Sequence, residues 1–465
     1  MTTPRGIAGL SGSAKDQLLA DVRASRRAVQ ERRPEPVAAP PSTDAGEKAF
    51  DFATLPMFRQ LRMQRAAADL IGISNPFFRA HDARAGATTE IDGRRFINFG
   101  SYDYLGLNGH PEVVAAAKAA IDKYGTSVSA SRVVAGERPI HRQLEAALAR
   151  VTGVEDAVAF VSGHATNVNT IGTLMGPKDL VICDALIHNS VVEGVRHAGA
   201  TRLMFPHNDL DALESLLAQS RGRFERILIV VEGVYSMDGD MPDLPRLIAL
   251  KRRFGAWLMV DEAHALGVLG ATGRGLAEQF GVDPTDVEIW MGTLSKTLCG
   301  CGGYVAGSSA LCEFLKINAP GFVYSVGMPP PVAAAALACI QILEREPERV
   351  TRLVANGQHF LARARAAGLD TGSSEGYAVV PVVVGDSITA ALLSSRLMDS
   401  GINAAPIIYP AVAEKSARLR FFITSAHTEA MLDEAVDATA RLLAEIRADG
   451  PLIQRLAAGP RDSGG

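Results

Sequence analysis

From about residue 140 to residue 310, short apolar runs alternate with amphipathic stretches of helical spacing. A helix over 140–151 leads to a strand over 157–161 (Ala-Val-Ala-Phe-Val), and further strands follow at 180–183 and 227–231. Trp257–Val260 and Val287–Met291 continue the series, with a helix over 242–254 before the first of them. Runs of this length and composition are the pattern of strands buried on both faces. Repeated strand–helix–strand crossovers predict a mostly parallel sheet with helices on both sides.

The flanks have other patterns. Thr88–Ile91 and Arg95–Phe99 alternate around Asp92-Gly93, a strong hairpin signal. A polar and aromatic loop, Ser101-Tyr-Asp-Tyr-Leu-Gly-Leu107, follows, and Pro111 opens a helix to about Tyr124. Residues 52–72 form one amphipathic helix, apolar at Phe58, Leu61, Ala68 and Ile71 and wet at Arg59, Arg62 and Arg65. It either packs on its own domain, rims a site for a fatty chain, or touches a membrane surface. After Pro329 the character changes. Pro331 starts an Ala-rich helix expected to run past Pro347 to about residue 367. A strand over 378–384, a helix over 387–400, a strand over 418–423 and a helix over 428–447 complete a smaller α+β domain. The organisation predicted is a disordered tail and Pro/Ala-rich linker over 1–50, a helix and hairpin segment over 51–110, a large domain over 111–328, a small domain over 329–455 and a disordered end over 456–465.

Composition narrows the class without changing the architecture. The 465 residues are 47% apolar and 21% charged, ordinary for a globular protein. A net charge of −4 argues against a nucleic-acid partner. Five scattered cysteines imply no disulfide framework, which suits a reducing cytoplasm. The start of the chain lacks an apolar signal segment, and no uncharged apolar run is long enough to span a bilayer.

The chemistry sits where the apolar runs end. One ends on Asp261, with His264 three residues on; the next ends on Thr293, Ser295 and Lys296, followed by a Gly-rich loop. Polar groups at the ends of parallel strands are where α/β folds build their sites. An Asp, a His and a Lys so placed suggest pyridoxal phosphate, with Lys296 as the Schiff-base lysine and Asp261 keeping the pyridine nitrogen protonated. Ser162-Gly163-His164 opens a helix, and the free amides there make a candidate phosphate cradle. His188 and the Glu232–Asp240 segment follow two of the other strands.

Together these residues resemble the α-oxoamine synthases, the group that includes serine palmitoyltransferase and 8-amino-7-oxononanoate synthase. The resemblance covers roughly residues 90–445. It rests on Glu232-Gly-Val-Tyr-Ser-Met-Asp-Gly-Asp240, Val260-Asp-Glu-Ala-His-Ala-Leu-Gly267, Gly292-Thr-Leu-Ser-Lys296 and Tyr324-Ser-Val-Gly-Met-Pro-Pro330. It implies a type I aminotransferase-like α/β fold, a homodimer with sites at the subunit interface, and pyridoxal 5'-phosphate. It implies that Lys296 anchors the cofactor and acts as Cα base, and that Asp261 pairs with the ring nitrogen. His264 would bond the ring hydroxyl, with Glu232 and Ser236 close by, and His188 would stack on the ring and place the thioester carbonyl. Gly163, His164, Thr293 and Ser295 would hold the phosphate, and Arg420 the amino-acid carboxylate. No metal is implied.

The chain departs from the pattern in places. Thr126–Arg132 replaces a glycine-rich turn, Tyr102-Asp103 stands at a substrate-binding position, and Ala405-Pro-Ile-Ile-Tyr-Pro410 replaces an Arg-containing segment. Val326 stands where a second subunit's phosphate-binding Thr is usual, with Ser325 as the substitute. These variants resemble the subgroup of polyketide-type or lipid assembly lines, where an acyl carrier protein can deliver the acyl group. The resulting expectation is condensation of serine, alanine or glycine, serine first, with a medium or long acyl thioester on CoA or a carrier protein, serine palmitoyltransferase-like. The alternatives are an aminotransferase or β-eliminating lyase, 8-amino-7-oxononanoate synthesis, and a non-catalytic relative.

Overall fold

The computed structural model describes residues 51–70 and 75–448. The expectations for the two tails, and for Ile71 on the first helix, lie outside these residues. The chain divides into two compact units, Met1–Ile71 and Gly72–Gly465. In the first, a 3-10 turn at Phe52–Thr54, capped by the Asp51 carboxylate, precedes a helix over Pro56–Leu70. Met57, Phe58, Leu61 and Met63 on that helix are exposed.

The second unit opens on the hairpin of β1 (Thr88–Ile91) and β2 (Arg94–Asn98). Ile91 pairs with Arg94 across Asp92 and Gly93, whose φ values are both positive, as a two-residue primed turn demands. The central sheet follows: β3 (Asp156–Phe160), β4 (Leu180–Asp184), β5 (Thr201–Phe205), β6 (Ile227–Glu232), β7 (Trp257–Asp261), β8 (Ile289–Thr293) and β9 (Gly303–Gly307). Their spatial order is β3-β9-β8-β7-β6-β4-β5. The pairs β5–β4–β6–β7–β8 are parallel, and β9 runs antiparallel to both β8 and β3. Almost every residue of β4, β6, β7 and β9 is buried, which explains why these strands read as apolar runs rather than alternations.

β5 and β9 are absent from the sequence-level expectation. β5 is an edge strand with polar or exposed positions at Thr201, Arg202 and Met204, and β9 begins and ends on glycine. Neither carries the apolar signal. The helix opening near residue 331 begins at Pro330 and ends at Arg345; a separate helix covers Glu348–Ala366. Pro347 has no N–H to continue the ladder, so the expected single helix is two.

The last part holds β10 (Val379–Gly385), β11 (Ile402–Asn403), β12 (Ala405–Ile407) and β13 (Ala417–Phe422). β10, β13 and β12 form one antiparallel sheet, while β11 joins β2 of the opening hairpin. Helix Pro330–Arg345 packs on helices Pro111–Tyr124 and Pro139–Thr152. We keep boundaries near residues 110 and 328 as a proposal, supported by the confinement of the seven-stranded sheet to 156–307. Among the described residues no helix is long and apolar enough to cross a membrane.

One glycine fixes the approach of the small sheet to the site. Gly239 has φ +74°, and a Cβ there would collide with the Val379 carbonyl oxygen. Gly239→Ala is expected to lose at least about 2 kcal/mol of unfolding free energy, read from urea denaturation. A loss below ~0.5 kcal/mol would mean that the turn relaxes freely.

Candidate active site

The C-terminal ends of β4, β6, β7 and β8 converge on a cavity of about 460 Å³, a size usual for cofactor sites. Around it stand Gly163, His164, His188, Glu232, Ser236, Asp261, His264, Thr293, Ser295, Lys296, Arg420 and Tyr102, so nearly all the sequence-predicted residues meet in one place. A larger, mainly apolar cleft of about 580 Å³ lies around Trp257 and Phe314 at the other end of the strands. Two of its charged residues are already paired, Glu288 with Lys251 and Arg226 with Asp179.

β6 and β7 place Glu232 directly beside Asp261. Asp261 is buried, and its carboxylate accepts from Asn167 Nδ2 at 2.8 Å and from the Ala263 N–H at 3.0 Å. Glu232 is fully enclosed; burial, and then the neighbouring Asp261, push its carboxyl up to about 8. At neutral pH the Glu232 carboxyl is therefore mostly protonated. Lys296 is also desolvated, which pulls its amine down to about 8 against the opposing pull of Asp261 and Glu232. Such an amine is well placed to take and return a proton near neutrality.

The two histidines are held differently. His188 caps helix Asn189–Ala198, and its Nδ1 accepts from the Ser190 N–H at 3.3 Å. The Ser190 hydroxyl lies 2.7 Å from the same nitrogen. This assigns the proton to Nε2. Burial, first, lowers the His188 pKa, so its ring is neutral. His264 shares a 2.6 Å hydrogen bond between Nδ1 and the Tyr104 hydroxyl, and its ring lies 11° from parallel with Phe422. Burial drives its pKa well down. Arg420 Nη1 donates to the Ser236 carbonyl at 3.0 Å, and its guanidinium lies over Phe422, 4.4 Å from the ring centroid.

At the far side, Ser162 caps helix Gly163–Leu174 by accepting from the Ala165 N–H. The first amides of a helix have no intrahelical acceptor, so those of Gly163 and His164 can serve an anion. A Cβ on Gly163 would lie 2.9 Å from Thr293 Oγ1. The absent side chain thus lets the helix end approach β8. Thr293 Oγ1 donates to the Gly302 carbonyl at 2.9 Å and accepts from the Ser295 N–H.

Two expected residues are placed elsewhere. Asp103 is buried with its carboxylate turned to the N–H groups of Leu107 and Asn108, which makes it an anchor of its own loop rather than a group free for substrate. Ser325, expected to act from a second subunit, is not among the residues around the cavity of this chain. Three residues not singled out from the sequence matter here: Asn167 holds Asp261, Ser190 orients His188, and Tyr104 holds His264. Asn167 had a usable signal, standing one helical turn from Gly163 on the same face.

These residues fit pyridoxal phosphate: a carboxylate for the ring nitrogen, a lysine, a flat neutral imidazole and free helix amides. Asn167 Oδ1, Glu232 Oε1 and Arg420 Nε border the cavity, buried and without hydrogen-bond partners, as groups awaiting a ligand do. Residues 94–438 match the family model for aminotransferase class I and II.

The chain belongs to the class I and II aminotransferase family.

Relatives narrow the class. The chain is 43% identical to 8-amino-7-oxononanoate synthase of Symbiobacterium thermophilum over 356 residues, 77% of this chain and 90% of that one. It is 40% identical to 4-hydroxy-2,2'-bipyrrole-5-methanol synthase of a Serratia species over 342 residues, 74% of this chain but 52% of that longer protein. Serine palmitoyltransferase from S. paucimobilis, solved with PLP and myriocin bound, superposes with a TM-score of 0.81 at 29% identity, covering 85% of this chain and 100% of that one. This aminotransferase-family member is a pyridoxal phosphate-dependent C-acyltransferase of the α-oxoamine synthase type.

Proposed function

We propose that the enzyme condenses a small amino acid with an acyl thioester, releasing the thiol and CO₂ and leaving an α-amino ketone. The observation that carries this reading is His188: a neutral imidazole with its proton on Nε2, on the same cavity as Lys296 and Arg420. A transaminating or eliminating enzyme has no need of a donor there, whereas a thioester carbonyl under attack does. The intact Lys296 likewise speaks against a non-catalytic relative.

When bound, the cofactor supplies an electron sink for the bonding electrons at the amino acid's Cα. The chain's own residues do the rest. Arg420 pairs with the carboxylate and fixes which Cα bond faces the lysine. Lys296 takes the Cα proton. His188 donates from Nε2 to the thioester oxygen as charge develops, and His264 adds a second donor. Gly163, His164, Thr293 and Ser295 serve the phosphate, and Asp261, with neutral Glu232 beside it, serves the ring nitrogen.

Serine is the first amino-acid choice, ahead of alanine and glycine, with a medium or long acyl chain on CoA or an acyl carrier protein. The departures at Tyr102 and Ala405–Pro410 support this. A second reading, 8-amino-7-oxononanoate synthesis, is supported by the 43% identity to that enzyme in S. thermophilum. A homodimer working in the cytoplasm, with Ser325 supplied across the interface, completes the proposal. Mass spectrometry of products from a mixture of the three amino acids with pimeloyl, decanoyl and palmitoyl thioesters tests it. An amino ketone from serine and a long chain supports the first choice, a product from alanine and pimeloyl the second, and no amino ketone from any pair would overturn both.

A further inference from the structure

His207 lies outside the cavity and on no strand, yet it joins two of the loops that build the site. Its Nδ1 meets Asp184 Oδ1 at 2.9 Å and its Nε2 meets Asp240 Oδ2 at 2.9 Å. Both carboxylates are buried. Ionised carboxylate oxygens only accept, so both ring nitrogens donate and the ring is an imidazolium. Burial opposes that charge, but the two hydrogen-bonded acids prevail and hold its pKa at about 10. The Tyr235 ring meets it edge-on at 4.5 Å, and Asn208, the next residue, donates its backbone N–H to Asp184.

Each acid leads into the site. Asp184 ends β4 and accepts from the Leu186 N–H at 2.8 Å, fixing the turn that delivers His188. Asp240 accepts the Tyr235 N–H on its carbonyl at 2.9 Å, closing the turn that presents the Ser236 carbonyl to Arg420. We propose that His207 is a positioning residue: bridging Asp184 and Asp240, it sets the relative placement of the His188 turn and the Ser236–Arg420 contact. The proposal rests on the condensation reading for the roles of His188 and Arg420.

The charged and titratable groups around the ring are Asp184 from β4, Asp240 and Tyr235 from the loop after β6, and Glu375 beside Asp240. A pKa raised from about 6.5 means that the clamp contributes fully below pH ~6.5 and is lost as pH climbs through about 10. Over the usual assay range the wild-type ring stays charged. Asp240→Asn removes one of its two anions and brings its titration down into that range.

Wild type, His207→Gln and Asp240→Asn are compared as holoenzymes by spectral titration of amino-acid binding, by steady-state kinetics, and by visible circular dichroism of the bound cofactor. His207→Gln is expected to weaken amino-acid binding and lower kcat by about tenfold or more, because small displacements of positioned groups are costly. Asp240→Asn is expected to bind the amino acid with a pH inflection, relative to wild type, between about pH 7 and 9. Should His207→Gln not fold, the Asp240→Asn inflection decides alone. Folded variants with binding within twofold of wild type and no new inflection would overturn the proposal. Were wild type itself to bind none of the amino acids, the condensation reading would fall. The cofactor's circular dichroism would then decide the role of His207, altered in both variants if it positions the site and unchanged if it does not.

Discussion

Lys296→Ala holoenzyme is expected to fold and to retain cofactor only without a covalent link, with turnover reduced by about 10⁴-fold. Two functions are lost with one side chain. In the proposed mechanism the lysine anchors the cofactor, and its amine, brought down to about 8 by burial, serves as the Cα base. Removing a positioned base alone costs about 10²–10⁴-fold. Added methylamine is expected to restore part of the proton transfer but not the anchoring, so rescue should be incomplete. Borohydride reduction followed by peptide mass mapping checks the anchor directly: cofactor mass on Lys296 in the parent and none in the variant. A variant keeping more than about a tenth of the activity would remove Lys296 from the mechanism, since no anchoring base is that dispensable.

His188→Phe has the second-largest expected effect and a different signature. A phenyl ring keeps the flat face but lacks the Nε2 proton. Amino-acid binding should therefore stay within about threefold, while condensation with the thioester falls by about 10²–10³-fold, the usual cost of a lost donor to a developing oxyanion. The Ser190 hydroxyl, now without its 2.7 Å partner on the ring, keeps its bond from Asn167 Nδ2 at 2.9 Å, so Asp261 should remain in place. Pre-steady-state mixing with the amino acid alone and then with the thioester separates the two effects. An equal loss in both would mean that His188 serves the cofactor rather than the carbonyl.

Much of the site was legible in the sequence for a simple physical reason. Asp261 and Thr293 end largely buried strands and Lys296 follows one, so each stands where an apolar run stops on polar residues. The neutral state of Glu232 was not legible, because it depends on β6 and β7 being neighbours in register, a pairing that links residues 29 positions apart. Tyr104 and His207 bond to partners distant in the chain, and Ser190, only two residues from His188, is joined to it by a side-chain bond that nothing in the local sequence marks. Asp103 shows the converse. It stands in a loop whose Tyr102 borders the cavity, but the two N–H groups after Gly106 claim its carboxylate.

The fold followed the same rule. The strands buried on both faces could be read, and the hairpin around Asp92-Gly93 was set by its turn chemistry. The exposed edge β5 and the glycine-bounded β9 could not be read, since their stability comes from sheet neighbours rather than from an apolar pattern. The split of the long helix at Pro347 has a local cause: a proline lacking an N–H ends the ladder although the helical pattern continues past it.

The most direct test of the account is stoichiometry. Purified holoenzyme supplied with a carboxyl-labelled amino acid and an acyl thioester is expected to release free thiol and labelled CO₂ in equal amounts, with neither released when one substrate is withheld. Formation of a keto acid from the amino acid, with no thiol and no CO₂, would contradict it.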